Sequence, residues 1–254
     1  MAEQIKDFEG YLRRMQNGMD DKLWWVNKVD SKIIIDYGCA DGTLLKHIRE
    51  LHPDYKLVGV DILPEMLNIA RTNVPDATFV TVQEFFDANL DCSGATLILS
   101  SVIHEIYSYC PDAENIMHAL LNMNFDHIAI RDMFVNTDTN TQIVPVQMLK
   151  VLEQKTSKER VDDFSRFWGQ PIILQRYIHY LLKYRYVDNW DREVRENYLP
   201  VDIEPFLNMV SQYYNIEYLD HYTLPFLKEQ IQKDIGITLD IPTHAKILLS
   251  KRQL

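Results

Sequence analysis

Two aspartates, two glycines and a histidine are the residues of this 254-residue chain whose types and spacing could do chemistry. Asp36 stands just before Gly38 and Gly42 in IIIDYGCADGTLL at 33–45, and Asp61 closes YKLVGVD at 55–61. Glycines at those places permit positive φ and let the backbone approach a ligand. A carboxylate about twenty residues beyond such a turn stands where a doubly wound sheet binds ribose hydroxyls. The turn reads Asp36-Tyr37-Gly38-Cys39-Ala40-Asp41-Gly42 rather than the dinucleotide fingerprint G-x-G-x-x-G. Its acidic flanks are poor company for a pyrophosphate and suit a ligand that carries an ammonium group and a sulfonium. Further on, SSVIHEIY at 100–107 offers His104, a general base by its near-neutral unperturbed pKa, with Glu105 beside it.

The elements that must position these residues follow from periodicity. The β-branched run before Asp36 predicts a buried central strand, and Leu44, Leu45, Ile48 and Leu51 fall at helical spacing after the turn. Further strands are predicted over 55–61, 77–82, 95–100, 126–133, 216–222 and 245–249, with Pro64 suiting the first turn of a helix and Gly236 the end of another. Ile5, Phe8, Leu12 and Met15 predict a helix before the first strand, and Trp24 and Trp25 read as packing residues.

With DYGCADG in hand, the chain resembles the class I S-adenosylmethionine-dependent methyltransferases, whose first motif is an acidic residue, any residue, then Gly-x-Gly-x-Gly. Ala40 replaces the middle glycine. The resemblance is good from 33 to about 134 and looser to the C-terminus. It implies a Rossmann-like α/β fold: a seven-stranded, mostly parallel sheet with helices on both faces, an antiparallel last strand, and a helical insertion after strand five. It implies S-adenosylmethionine as cofactor, held by Asp36, Gly38, Ala40 and Asp41 at the turn, Asp61 and Ile62 at the second strand, Gln83 and Glu84 at the third, and Ser100 and Ser101 at the fourth. His104 and Glu105 then lie near the methyl acceptor. Tyr11, Lys22 or Trp24 would serve in a lid.

These expectations divide the chain into an N-terminal helical lid segment at 1–30, a cofactor-binding core at 31–140, a helical cap at 141–205 and C-terminal strands at 206–254. The polar run NTDTN at 136–140 marks the boundary before the cap. From 150 to 196 there are ten Lys or Arg against eight Asp or Glu in a chain of net charge −11, together with a crowd of aromatics. Basic and aromatic residues stack on and neutralise planar or anionic molecules. Arg166, Trp168, Arg176 and His179 are therefore the candidates for facing a substrate, with Arg131 at the end of strand five. Packing of the cap on the sheet is the competing role for the aromatics, and pairing with Asp132 the competing role for Arg131.

The acidic balance argues against an extended nucleic-acid surface, although it leaves room for a local one. Cys39, Cys92 and Cys110 are odd in number and lack metal-type spacing, so neither a disulfide framework nor a metal site is indicated. No signal segment or membrane span is seen, which makes a cytoplasmic protein the expectation. A small molecule is the first expectation for the acceptor, ahead of a protein or a nucleic acid, and oligomeric state is unreadable. Ala40 and the lack of a sharp catalytic constellation keep open a non-catalytic binding module on the same fold. A nicotinamide-dependent oxidoreductase is disfavoured by the turn.

Overall fold

A computed structural model describes residues 18–252 of the chain. The helix expected over Ile5 to Met15, and Tyr11 with it, lie outside the described residues.

The strands β1 (Ile33–Tyr37), β2 (Lys56–Asp61), β3 (Thr78–Thr81), β4 (Ala95–Ser100), β5 (His127–Met133), β6 (Tyr214–Tyr222) and β7 (His244–Lys251) form one seven-stranded sheet in the order β3-β2-β1-β4-β5-β7-β6. The first five run parallel, and β7 lies antiparallel between β5 and β6. Strand order reverses direction between β1 and β4, which opens a crevice at their carboxyl ends.

Both faces of the sheet are covered, so the central strands are apolar throughout and the side chains sort by alternation. Ile34, Ile98, Ala129 and Leu248 point into one core with Leu45 and Ile48 of α2 (Thr43–Leu51) and Leu67 and Ala70 of α3 (Pro64–Asn73). Ile35, Leu97, Leu99, Ile130 and Ile247 point the other way. They meet Phe85 of α4 (Val82–Asp87), Ile103 and Ile106 of α5 (Ile103–Tyr109), Met117 and Leu120 of α6 (Ala113–Leu121) and Phe206 of α11 (Ile203–Val210). Full burial of such a side chain contributes about 1.5–3 kcal/mol.

A third core belongs to the cap, made of α7 (Val146–Lys155), α8 (Lys158–Trp168), α9 (Leu174–Lys183) and α10 (Trp190–Glu193). Leu152, Phe164, Tyr177, Ile178 and Leu181 are its centre. The helix between the last two strands, α12 (Pro225–Ile235), adds Leu227, Ile231 and Ile235 to that core, so the cap rests on a piece of chain from beyond β6. The insertion leaves and rejoins the sheet at one place, where the Ile203 N–H donates to the Val135 carbonyl at 2.9 Å. Strand β3 ends one residue earlier than the alternation suggests because Thr81 caps α4: its hydroxyl accepts from the Glu84 N–H while the Glu84 carboxylate accepts from the Thr81 N–H.

At the N-terminal side, α1 (Met19–Lys22) lies against the sheet through Asp21, and Trp24 stacks on Tyr218 of β6 with ring centroids 5.1 Å apart. Trp25 is buried in the α2–α3 core.

Candidate active site

The turn after β1 has the backbone that its glycines suggested. Gly38 has φ +82°, Gly42 φ +76°, and Ala40, at the place of the missing glycine, takes φ +46°. An L-residue there costs roughly 1–2 kcal/mol. The Ala40 N–H offsets it by donating to Asp61 Oδ2 at 2.8 Å, and the N–H groups of Gly38 and Cys39 both reach the Val60 carbonyl. A Cβ on Gly38 would stand 2.5 Å from Val102 Cγ2, so the turn is pressed onto the loop that leads to α5.

The two aspartates face the crevice differently. Asp61 is held from both sides, Oδ2 by Ala40 and Oδ1 by the Leu63 N–H at 2.9 Å, and burial nevertheless pushes its carboxyl upward. Asp36 is buried at the end of β1, and burial pushes it to about 7, with Lys22 opposing the shift and Asp61 adding to it. Ile62, 67% exposed, stands at the rim beside Asp61. Ser100 at the end of β4 has a buried hydroxyl with no partner among the described residues.

Several expected contacts are taken by the protein itself. Asp41 accepts from both the N–H and the hydroxyl of Thr43, so its carboxylate is engaged at the first residue of α2. Gln83 and Glu84 lie on the exposed first turn of α4, where Gln83 Nε2 donates to Asp87 and Glu84 closes the capping box with Thr81; their side chains are turned to solvent and to their own helix. Ser101 has φ +58° and its hydroxyl accepts from Arg131 Nη1.

Arg131 does not pair with Asp132. It is buried and bound to Asp21 Oδ2 at 2.9 Å, and Asp21 also takes Lys246 Nζ at 2.6 Å and the Tyr222 hydroxyl at 2.7 Å. A substrate contact from Arg131 is therefore replaced by a latch between α1 and strands β5, β6 and β7.

Asp132 turns instead to α5. Its Oδ1 lies 2.7 Å from His104 Nδ1 and accepts the Met133 N–H, and its Oδ2 accepts the Ile103 N–H at 2.7 Å. Because a carboxylate only accepts, Nδ1 carries a proton, and Nε2 lies on the far side of the ring. Burial works against a charge on the ring, but the charge and hydrogen bond of Asp132 raise His104 to about 9. The cap brings Glu196 to the same place, its Oε1 3.6 Å from His104 Nε2, with Arg192 Nη2 3.6 Å from Glu105 and 3.9 Å from Glu196. A nitrogen so placed takes a proton or a metal ion. Asp132 and Glu196 were not among the site residues that the sequence suggested.

These groups, the glycine turn, Asp61 and the His104–Asp132 pair, sit along one edge of the sheet, and residues 34–124 match the family described as methyltransferase domain. Over that stretch the chain is similar to methyltransferase domains. A trans-aconitate 2-methyltransferase of Afipia carboxidovorans is 33% identical over 79 residues, which are 31% of this chain and 30% of that protein. The matched stretch thus spans less than a third of the curated relative. An O-methyltransferase family protein of Burkholderia thailandensis superposes with a TM-score of 0.54 at 14% identity, over 96% of this chain and 58% of that one. The plantazolicin methyltransferase BamL, in complex with a triazolic desmethylPZN analog and SAH, does so with a TM-score of 0.52 at 10% identity, over 95% and 85%. These likenesses show the fold alone. Among the described residues no helix is long and apolar enough to cross a membrane.

The cap's expected substrate residues divide. Arg166, its side chain 74% exposed, pairs with Asp163 on its own helix, and Arg176 lies over Gly169. Arg166 thus stands outside the apolar stripe of α8, whereas Arg176 is half-buried. Trp168 and His179 have packing roles. Trp168 Nε1 donates to the Val194 carbonyl at 2.6 Å, and His179, kept neutral by burial and by Lys183, accepts from the Tyr198 N–H at 3.2 Å. Lys183 is fully buried with its ammonium on the carbonyls of Glu193 and Glu196, and burial lowers it to about 7. It thereby fixes the turn that carries Glu196.

Proposed function

We propose that the protein transfers a methyl group from S-adenosylmethionine to an oxygen of a small molecule held between the carboxyl edge of the sheet and the cap. The observation that carries this reading is the placement of a carboxylate-backed imidazole, His104 on Asp132, beside a methyltransferase cofactor turn. The residues fit the cofactor: Asp36 is a buried carboxylate for the methionine ammonium, Asp61 has lone pairs left for ribose hydroxyls, the Ser100 hydroxyl lacks a partner, and Ile62 offers an apolar rim to the adenine. When bound, S-adenosylmethionine supplies an electrophilic methyl carbon on a sulfonium.

The chain's own residues supply the rest. The cap excludes water and lines up the acceptor, and alignment alone lowers such a barrier substantially. An oxygen nucleophile must give up its proton as it attacks, and His104 Nε2 is the atom that would take it, in the neutral form of the ring, which is populated as pH approaches about 9. The acceptor of the Afipia relative, named for trans-aconitate, is not carried over: Glu105, Glu196 and Asp132 line this end, and carboxylates repel a polycarboxylate. A neutral hydroxylated molecule suits it better.

Calorimetry with S-adenosylmethionine and S-adenosylhomocysteine, and with a nicotinamide dinucleotide as control, tests the reading. Saturable binding of the two adenosyl ligands alone is expected, followed by formation of S-adenosylhomocysteine in a screen of hydroxylated small molecules. Absence of adenosyl-ligand binding would overturn it.

A further inference from the structure

We propose that His104, Glu105 and Glu196 form a site for one divalent transition-metal ion at the acceptor end of the crevice. One ligand atom from each of these residues lies within 4.8 Å of the others, in a cluster drawn from α5 and from the segment after α10.

The histidine is set up as a ligand. Asp132 takes the Nδ1 proton, and because its two oxygens also accept backbone N–H groups from Ile103 and Met133 it cannot turn away. A carboxylate behind the distal nitrogen fixes the tautomer and makes the near nitrogen a better donor, which is the usual outer support of a metal-bound imidazole. Nε2 is the near nitrogen here, and Glu196 Oε1 is the atom opposite it at 3.6 Å.

Glu196 supplies an independent observation. Its residue is 2% exposed, yet Oε1 has no hydrogen-bond partner among the described residues. A buried carboxylate oxygen without a hydrogen-bond donor is costly unless a cation meets it; the protonated His104 ring at 3.6 Å does so, and a metal ion held by both residues would displace that proton. The surrounding structure holds it there nonetheless: Lys183 Nζ grips the Glu196 carbonyl at 2.5 Å, and the Asn197 N–H donates to Ser108 Oγ, one turn along α5 from His104, at 2.8 Å. The carboxylate is thus carried to the imidazole by a preorganised turn.

Charge points the same way. Glu105 and Glu196 share one guanidinium, that of Arg192, which stays 3.6 and 3.9 Å from them, and Glu196 Oε1 is turned to His104 Nε2. A divalent cation balances what Arg192 leaves over, and with it present the two carboxylates draw in from the separation that their mutual repulsion imposes. One imidazole with two carboxylates suits Mn2+, Fe2+, Co2+ or Zn2+ better than the all-oxygen preference of Ca2+. Resting on the function proposed above, the ion would hold an oxygen of the acceptor beside the methyl-donor cradle; its binding to the protein does not depend on that function.

The test uses full-length protein stripped with chelator and titrated with Co2+, read by its visible absorption, and with Mn2+ and Zn2+ by calorimetry. Binding of one ion per chain is expected. It should weaken about 10- to 100-fold in Asp132→Asn, the outer-support variant, and at least as much in Glu196→Gln and in Glu105→Gln. The last of these changes a side chain that is 38% exposed, so folding does not confound it. No binding by the wild-type chain, or equal binding by wild type and Glu105→Gln, would overturn the site. Calorimetry with S-adenosylhomocysteine on the same samples separates the two proposals. Ion binding without adenosyl-ligand binding upholds the site and sinks the methyltransferase reading, and the reverse sinks the site alone.

Discussion

Asp132 Oδ1 lies 2.7 Å from His104 Nδ1 while Asp132 Oδ2 accepts the Ile103 N–H at 2.7 Å, so one carboxylate at the end of β5 holds both a side chain and the backbone of the first turn of α5. The strand end, the helix and the imidazole are thereby fixed as a unit.

Removing that carboxylate should be felt in stability as well as in chemistry. Asp132→Ala leaves a buried ring and two backbone donors without their acceptor, and breaking a buried pair of this kind costs roughly 3–5 kcal/mol. A urea midpoint lowered to that extent, with a smaller loss in Asp132→Asn, is expected. A midpoint like that of the wild type would show that the carboxylate is not what holds α5.

Gly38 carries two separable constraints. Gly38→Ala places a Cβ 2.5 Å from Val102 Cγ2 at a backbone φ of +82°. Overpacking of this sort costs roughly 1–3 kcal/mol and the left-handed conformation about 1–2 kcal/mol. The additional change Val102→Ala should relieve the clash and leave the conformational cost, measured as a positive coupling in a double-mutant cycle of thermal or urea unfolding. Strict additivity would mean that the turn and Val102 do not press on each other.

Asp36 predicts a pH dependence. Burial raises its folded-state value to about 7 from the ordinary 3.8. The ligand-free folded chain therefore keeps a proton that the unfolded chain has already released, and its stability falls as pH rises from about 4 to about 7. Binding of an ammonium-bearing ligand favours the ionised form, so affinity for S-adenosylhomocysteine should rise as pH goes from 6 to 8. Calorimetry across that range should give a steep profile for the wild type and a flatter, weaker one for Asp36→Asn. A flat wild-type profile would remove Asp36 from the ammonium site.

The latch at Asp21 gathers Arg131, Lys246 and Tyr222 on one carboxylate. Asp21→Ala leaves the buried guanidinium of Arg131 unbalanced and should cost roughly 3–5 kcal/mol, whereas Asp21→Ala combined with Arg131→Met should recover part of the loss. Equal destabilisation by the single and double variants would show that Arg131 finds its balance elsewhere.

Local chemistry made part of this legible. Strand, glycine turn and helix are contiguous, and a β-branched run, a positive-φ position and a helical stripe each act within a few residues, so the sheet's central strands and the Gly38 turn follow from sequence. The start of α4 went unread although Thr81 and Glu84 have capping-box spacing, because extending β3 by alternation alone put Gln83 and Glu84 at a strand end that they do not occupy.

What periodicity does not contain is which far-off group meets which. Asp132 stands 28 residues from His104, and Arg131 stands 110 from Asp21. At the end of β5, adjacent side chains point to opposite faces, so Arg131 and Asp132 were bound to find different partners and not each other. The cap obeys the same division. Its composition announced basic and aromatic residues, but the amphipathic stripe of α8 sent Arg166 outward, Arg176 lay half-buried over Gly169, and Trp168 and His179 went into packing, while the turn gripped by Lys183 delivered Glu196. The sequence by itself determined the sheet, the glycine turn and the presence of His104 at a strand's carboxyl edge, because those depend on neighbours along the chain. Only the tertiary structure decided which carboxylates surround that imidazole, because burial makes each charge seek a partner wherever the packed fold brings one.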